Sequence, residues 1–134
     1  MKFLVAEDDF PSRMALQKML TAFGECRTAN NGLEAVAAYD EAVQQAAPFD
    51  LICLDIMMPG MDGKEALRLI RQKEKEANIL PRNEVKIIMT TALDTPADII
   101  DAYYRGGCTG YLVKPILRKN VTDMLRQQGL LNEA

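Results

Sequence analysis

The chain has 134 residues, 49% apolar and 26% charged, with 16 basic and 19 acidic side chains and a formal charge of −3. That length suits one domain, residues 1–134, burying roughly two-thirds of its unfolded surface without a disulfide or metal staple. No basic run points to nucleic acid or an anionic membrane, no apolar stretch approaches the ~18 residues of a membrane span, and acid arrives too early for a signal peptide.

The elements follow in order. Lys2-Phe3-Leu4-Val5-Ala6 reads as a strand that ends on Glu7-Asp8-Asp9, and Asp9, beside Pro11, reads as a helix cap. Residues 25–29 form a second strand whose Glu25, Arg27 and Thr28 place it at an edge. Asn31-Gly32-Leu33-Glu34 opens a helix with a capping-box pattern. Residues 50–54 are nearly all apolar, as a parallel strand covered on both faces should be, and Asp55 follows. Asp62-Gly63-Lys64-Glu65 opens the next helix in the same way. The connection from Ala77 to Glu84, with Pro81, is long, and nothing in the sequence accounts for its length. Residues 85–90 read as the fourth strand; Thr95-Pro96-Ala97-Asp98 then places a proline at the first helical position after a threonine cap. Residues 110–113 form the last strand, and a final helix ends near Gln128. Gly24, Gly106-Gly107 and Gly129 mark helix ends. Five βα units imply an α/β fold, a doubly wound parallel sheet with helices on both faces.

In such a sheet ligands bind beyond the carboxyl ends of the strands. Those ends carry Glu7, Asp8 and Asp9, then Asp55, then Thr90-Thr91, then Lys114-Pro115. Crowded carboxylates repel, which raises one pKa or recruits a hard divalent cation such as Mg²⁺, which keeps several waters. A carboxylate beside Mg²⁺ and a lysine can act as a nucleophile toward phosphorus, and a threonine hydroxyl can bond the new phosphoryl oxygen. The chain has no histidine, which excludes in-chain Ser-His-Asp or Cys-His catalysis and a phosphohistidine carrier. Cys26, Cys53 and Cys108 show no CxxC spacing and read as reduced thiols of a cytoplasmic protein, with Cys53 a small buried hydrophobe.

Four motifs now stand in order: Phe3-Leu4-Val5-Ala6-Glu7-Asp8-Asp9, Asp55-Ile56-Met57-Met58-Pro59-Gly60-Met61-Asp62-Gly63, Ile87-Ile88-Met89-Thr90-Thr91-Ala92 and Gly110-Tyr111-Leu112-Val113-Lys114-Pro115. With them the chain resembles the receiver domains of two-component response regulators over roughly residues 2–128. The resemblance implies a flavodoxin-like five-stranded sheet in the order 2-1-3-4-5 with five helices. It makes Asp55 the phosphoacceptor, with Lys114 and Thr91 assisting. Mg²⁺ would be held by Asp8, Asp55 and the Met57 backbone carbonyl, and by Glu7 through water. Thr91 and Tyr111 would be the switch residues, and a cis peptide bond would precede Pro115. A sensor histidine kinase or histidine phosphotransfer protein would donate the phosphoryl group. A downstream protein target would read the face made by the fourth helix, fifth strand and fifth helix. Neither nucleic acid nor membrane is expected as a direct partner, and a phosphorylation-dependent dimer is left open. Apolar Met57 and Leu93 near the site imply poor placement of hydrolytic water and a long-lived phosphorylated state.

Plainer readings stand beside these. Strand alternation turns Thr90 toward the helices as a packed residue, and Asp62 is a cap. Tyr103-Tyr104 in the fourth helix form an exposed partner surface, or one of them is core. Arg118, Lys119 and Arg126 form a solvated face. A haloacid-dehalogenase-type phosphatase would need an aspartate where Met57 stands, and a flavin or nucleotide binder would not place Glu7-Asp8-Asp9 against phosphate. The remaining alternative is a pseudo-receiver that only binds partners. The expected role is therefore a signalling switch and not an enzyme. The six residues after Gln128 leave no room for an output domain, so the chain acts through a separate partner or is cut from a longer protein.

Overall fold

Alternation within the strands sorts the apolar side chains onto two faces of one parallel sheet. The computed structural model describes residues 1–58 and 60–132; Pro59 of the second motif, and Glu133 and Ala134 at the end, lie outside the described residues. Strands β1 (Lys2–Ala6), β2 (Glu25–Ala29), β3 (Leu51–Asp55), β4 (Lys86–Thr91) and β5 (Gly110–Val113) alternate with helices α1 (Phe10–Thr21), α2 (Gly32–Gln44), α3 (Gly63–Glu76), α4 (Ala97–Arg105) and α5 (Arg118–Gln127). The strands pair in parallel in the order β2-β1-β3-β4-β5, the flavodoxin-like arrangement expected. β3 and β4 end one residue beyond the apolar runs, so Asp55 and Thr91 are themselves strand residues.

On one face Leu4, Ile52, Leu54, Ile87 and Met89 pack with Tyr39, Leu67, Ile70 and Tyr103 of α2, α3 and α4. On the other, Phe3, Val5, Leu51, Cys53, Ile88 and Leu112 pack with Leu16, Leu20, Val121 and Leu125 of α1 and α5. Burying a side chain of this size stabilises the fold by about 1.5–3 kcal/mol before ordering costs, so the central strands hold the sheet rigid beneath whatever sits at its edge.

The helix starts follow their caps with three differences. Asn31 Oδ1 accepts from the Glu34 amide at 2.8 Å, but the reciprocal arm of Glu34 reaches Asn30, one residue upstream. Asp62 Oδ1 accepts from the Glu65 amide at 2.9 Å, while the Glu65 carboxylate pairs with Arg68 instead of closing a box. In α4 the cap is Pro96, not Thr95. The Pro96 carbonyl accepts from Ile99 and Ile100, and the Thr95 amide is occupied by a turn to Ala92. Gly24 also differs from its expected role: α1 stops at Thr21, and a side chain at Gly24 would strike the Met1 carbonyl where the chain enters β2.

The long connection after α3 has a physical cause that the sequence did not suggest. Residues Pro81–Asn83 form a 3₁₀ turn, and the segment is fastened by a buried ion pair. Arg71 Nη1 donates to Glu74 Oε1 at 2.5 Å, and Glu74 Oε2 accepts from the Val85 amide at 2.7 Å. The same guanidinium donates to the carbonyls of Val85 at 2.8 Å and Gly107 at 2.9 Å. Gly107, at φ +109°, leaves room for the arginine stem.

Candidate functional site: an acidic cleft at the carboxyl edge

Strand parity carries past the last core residue of each strand. Glu7 follows Phe3 and Val5, Asp55 follows Leu51 and Cys53, Thr90 follows Ile88, and Lys114 follows Leu112. All four side chains line one cleft of about 340 Å³, beside Asp8 and Met57 from the loops. Thr90 is thus buried, as packing predicts, yet it also faces the cleft and pairs with Asp55 in the β3–β4 register. The signal for that second role is the alternation of Ile88 and Thr90 along β4, which keeps Thr90 on the parity of the cleft residues.

Lys114 organises the centre. Its Nζ donates to Asp55 Oδ2 at 2.9 Å and to Glu7 Oε1 at 2.7 Å, while the Met57 amide donates to Asp55 Oδ1 at 3.1 Å. Asp55 and Glu7 are only 5% and 3% exposed, whereas Asp8 lies open at the mouth. Burial, and then the neighbouring Asp55 carboxylate, push the Glu7 carboxyl up to about 7. Burial alone would pull Lys114 down, but its bonds to Glu7 and Asp55 hold it above the ordinary lysine value.

Three carboxylates against one ammonium leave negative charge uncompensated in a half-dry site. One oxygen each from Glu7, Asp8 and Asp55 lie within 4.8 Å of one another. Glu7 Oε2 is buried with no hydrogen-bond partner among the described residues. Hard oxygen donors, excess charge and an orphaned lone pair fit a small divalent cation retaining some of its waters.

The other predicted residues fall around this centre. The Thr91 side chain is buried on the opposite parity, with Oγ1 3.5 Å from the Leu112 carbonyl, and the Thr91 carbonyl accepts from the Lys114 amide at 2.8 Å. Tyr111 is 42% exposed on β5 and meets Tyr104 edge-on, with ring centroids 6.2 Å apart. Tyr103 is core and Tyr104 surface, which resolves that pair. The Lys114–Pro115 peptide is cis. Met57 and Leu93 both project into solvent. Asp9 is a helix cap, its Oδ2 accepting from the Ser12 amide at 3.0 Å. Cys53 is buried, and burial raises its thiol far above the reactive range. Among the described residues no helix is long and apolar enough to cross a membrane.

The family model for the response regulator receiver domain matches residues 3–126. The chemotaxis protein CheY of Listeria monocytogenes is 33% identical over 129 residues, covering 95% of this chain and 97% of that protein. The receiver domain of the histidine kinase CKI1 from Arabidopsis thaliana, solved with Mg²⁺ and BeF₃⁻, superposes with a TM-score of 0.80 at 27% identity, covering 96% of this chain and 89% of that one. The receiver domain of Saccharomyces cerevisiae Ssk1, solved with the histidine phosphotransfer protein Ypd1, gives a TM-score of 0.78 at 26% identity and covers 96% of this chain and 88% of that one. The chain spans only 15% and 7% of two longer relatives, both histidine kinases.

Proposed function

The chain belongs to the response regulator receiver domain family, and on that premise we propose that it is a phosphorylation-dependent switch with Asp55 as phosphoacceptor. A receiver domain is a signalling switch and not an enzyme with separate substrate turnover. The observation that carries the proposal is the buried Asp55 carboxylate, bonded to Lys114 and within metal-sharing distance of Glu7 and Asp8. Asp8 and Asp55 would hold Mg²⁺ directly with the Met57 carbonyl, and Glu7 would reach it through water. The cation, when bound, supplies positive charge against the oxygens of a transferring phosphoryl group. Lys114 keeps its ammonium form beside Asp55 and meets the same charge from the other side. The Asp55 oxygen forms the new O–P bond as the donor's bond to phosphorus breaks.

The donor would be a sensor histidine kinase or a phosphotransfer protein, a reading supported by the likeness to the Ssk1 receiver solved with Ypd1. The signal would leave through α4, β5 and α5. Turning the Thr91 hydroxyl from the Leu112 carbonyl toward the phosphoryl group would draw on β4 next to Lys114, and Tyr111 would move against Tyr104. Such motion relays a signal only to a target that binds the two states with different affinity. Residues 1–134 act here as one receiver unit. Exposed Met57 and Leu93 offer no hydrogen bond to a hydrolytic water, so the phosphorylated state is long-lived; a half-life of seconds without a phosphatase would overturn that part.

Intact-mass measurement after incubation with acetyl phosphate and Mg²⁺ tests the core of the proposal. One phosphoryl adduct is expected, lost in EDTA and absent from Asp55→Asn. An adduct that persists in Asp55→Asn assigns the acceptor elsewhere; none on the native chain favours a partner-binding pseudo-receiver.

A further inference from the structure

The three acidic side chains of the cleft are not held alike. Glu7 is bonded to Lys114, and Asp55 to Lys114 and the Met57 amide. No hydrogen bond to the Asp8 carboxylate is present among the described residues, and Asp8 is exposed. Its direction is therefore inherited from the backbone of residues 7–9.

That backbone is fastened from two sides. Downstream, Asp9 caps α1 through Ser12. On the other side Arg13, at the end of the first turn of α1, reaches back six residues. Its Nη1 donates to the Glu7 carbonyl at 2.8 Å and lies 3.5 Å from the Asp8 carbonyl. The guanidinium is steadied in turn by the Phe10 ring, whose centroid lies 5.3 Å away. The arginine touches none of the three carboxylates; it grips the main chain that carries two of them.

We propose that Arg13 is a positioning residue for the divalent-cation site, fixing the β1–α1 turn so that Asp8 points into the cleft. This rests on the metal reading above. Charge and positioning predict opposite signs, which makes the inference testable. As a mere charge, a guanidinium near three carboxylates repels a cation, so deleting it tightens binding. As a positioning group, deleting it lets Asp8 wander and weakens binding. Residues that orient metal ligands from behind typically contribute about 10–100-fold in affinity.

The test is calorimetric titration of Mg²⁺ into the folded native chain, Arg13→Ala, Arg13→Lys and Asp8→Asn at one ionic strength, with thermal denaturation of each in EDTA. The expected result is measurable binding to the native chain and none to Asp8→Asn. Arg13→Ala should bind about tenfold more weakly, near the lower end of that range. Arg13→Lys, which keeps one donor for the Glu7 carbonyl, should recover part of the loss and carries the test if the alanine variant does not fold. A merely structural arginine would lower the melting temperature in EDTA and leave Mg²⁺ affinity of the folded protein unmoved. Unchanged or tighter binding in the foldable variant overturns the positioning role while the metal site stands. Absence of binding to the native chain overturns the metal reading itself, and this inference with it.

Discussion

Two buried ionic clusters sit at opposite edges of the same sheet, and they are completed differently. At the amino edge one arginine meets one glutamate: Arg71 donates from all three nitrogens, and both Glu74 oxygens are occupied. At the carboxyl edge one lysine meets Glu7 and Asp55 with Asp8 close by, and a buried Glu7 oxygen is left without a partner among the described residues. The first cluster is closed and ties α3 to the entrances of β4 and β5. The second is open, its unmatched charge held in place by the core beneath it. A fold can leave polar groups unsatisfied where a ligand is to complete them, and it must satisfy them where none will.

The sharpest way to break this contrast is to open the closed cluster. Arg71→Ala leaves the Glu74 carboxylate buried without its cation and should cost about 3–5 kcal/mol in urea denaturation. Mg²⁺ affinity of the folded fraction should stay native. A loss under ~1 kcal/mol would mean that the amino edge is as tolerant as the carboxyl edge.

Next in size is the effect of closing the open cluster. Mg²⁺ at a hundred times its dissociation constant should add about 2.7 kcal/mol to the native chain and nothing to Asp8→Asn, by the same denaturation. Stabilisation of Asp8→Asn would place the cation elsewhere.

The smallest effect concerns Glu7, where removing a charge should help. Its carboxyl is raised from 4.5 to about 7 in the folded chain, so between those values the folded state binds more protons than the unfolded one. Stability in EDTA should therefore fall as pH rises through that window and level off above it. Glu7→Gln should flatten the slope. Near pH 7.5 the variant should be more stable than the native chain, by on the order of 1 kcal/mol once the charge shared with Asp55 and Lys114 is discounted. A native chain that gains stability from pH 5 to 7.5 would show Glu7 to be satisfied after all.

Much of the fold was legible because its signals are local. The apolar runs at 50–54 and 85–90 announced central parallel strands, and they are the strands paired on both sides in the structure. Asn31 and Asp62 announced their helices because a side chain that caps its own next turn needs no distant partner. Thr95 misled because local propensity allows two registers for that start, and the competing turn to Ala92 chose the later one. The gathering of Glu7, Asp8, Asp55 and Lys114 was legible at one remove, since a parallel sheet brings all its strand ends to one edge.

The sequence by itself determined the order of elements, the strand-end position of the acidic, hydroxyl and lysine residues, and their family pattern, because periodicity and end position are properties of the chain alone. Tertiary structure alone decided which of them meet. Thr90 joins the cleft because the β3–β4 register sets it opposite Asp55. Glu7 Oε2 has no partner among the described residues because Lys114 reaches only Oε1. Arg13 and Arg71 matter because each crosses from a helix to main-chain carbonyls, six residues away for one and fourteen and thirty-six for the other. Contacts of that kind depend on register, burial and side-chain reach in three dimensions, and none of these has a period that a sequence can display.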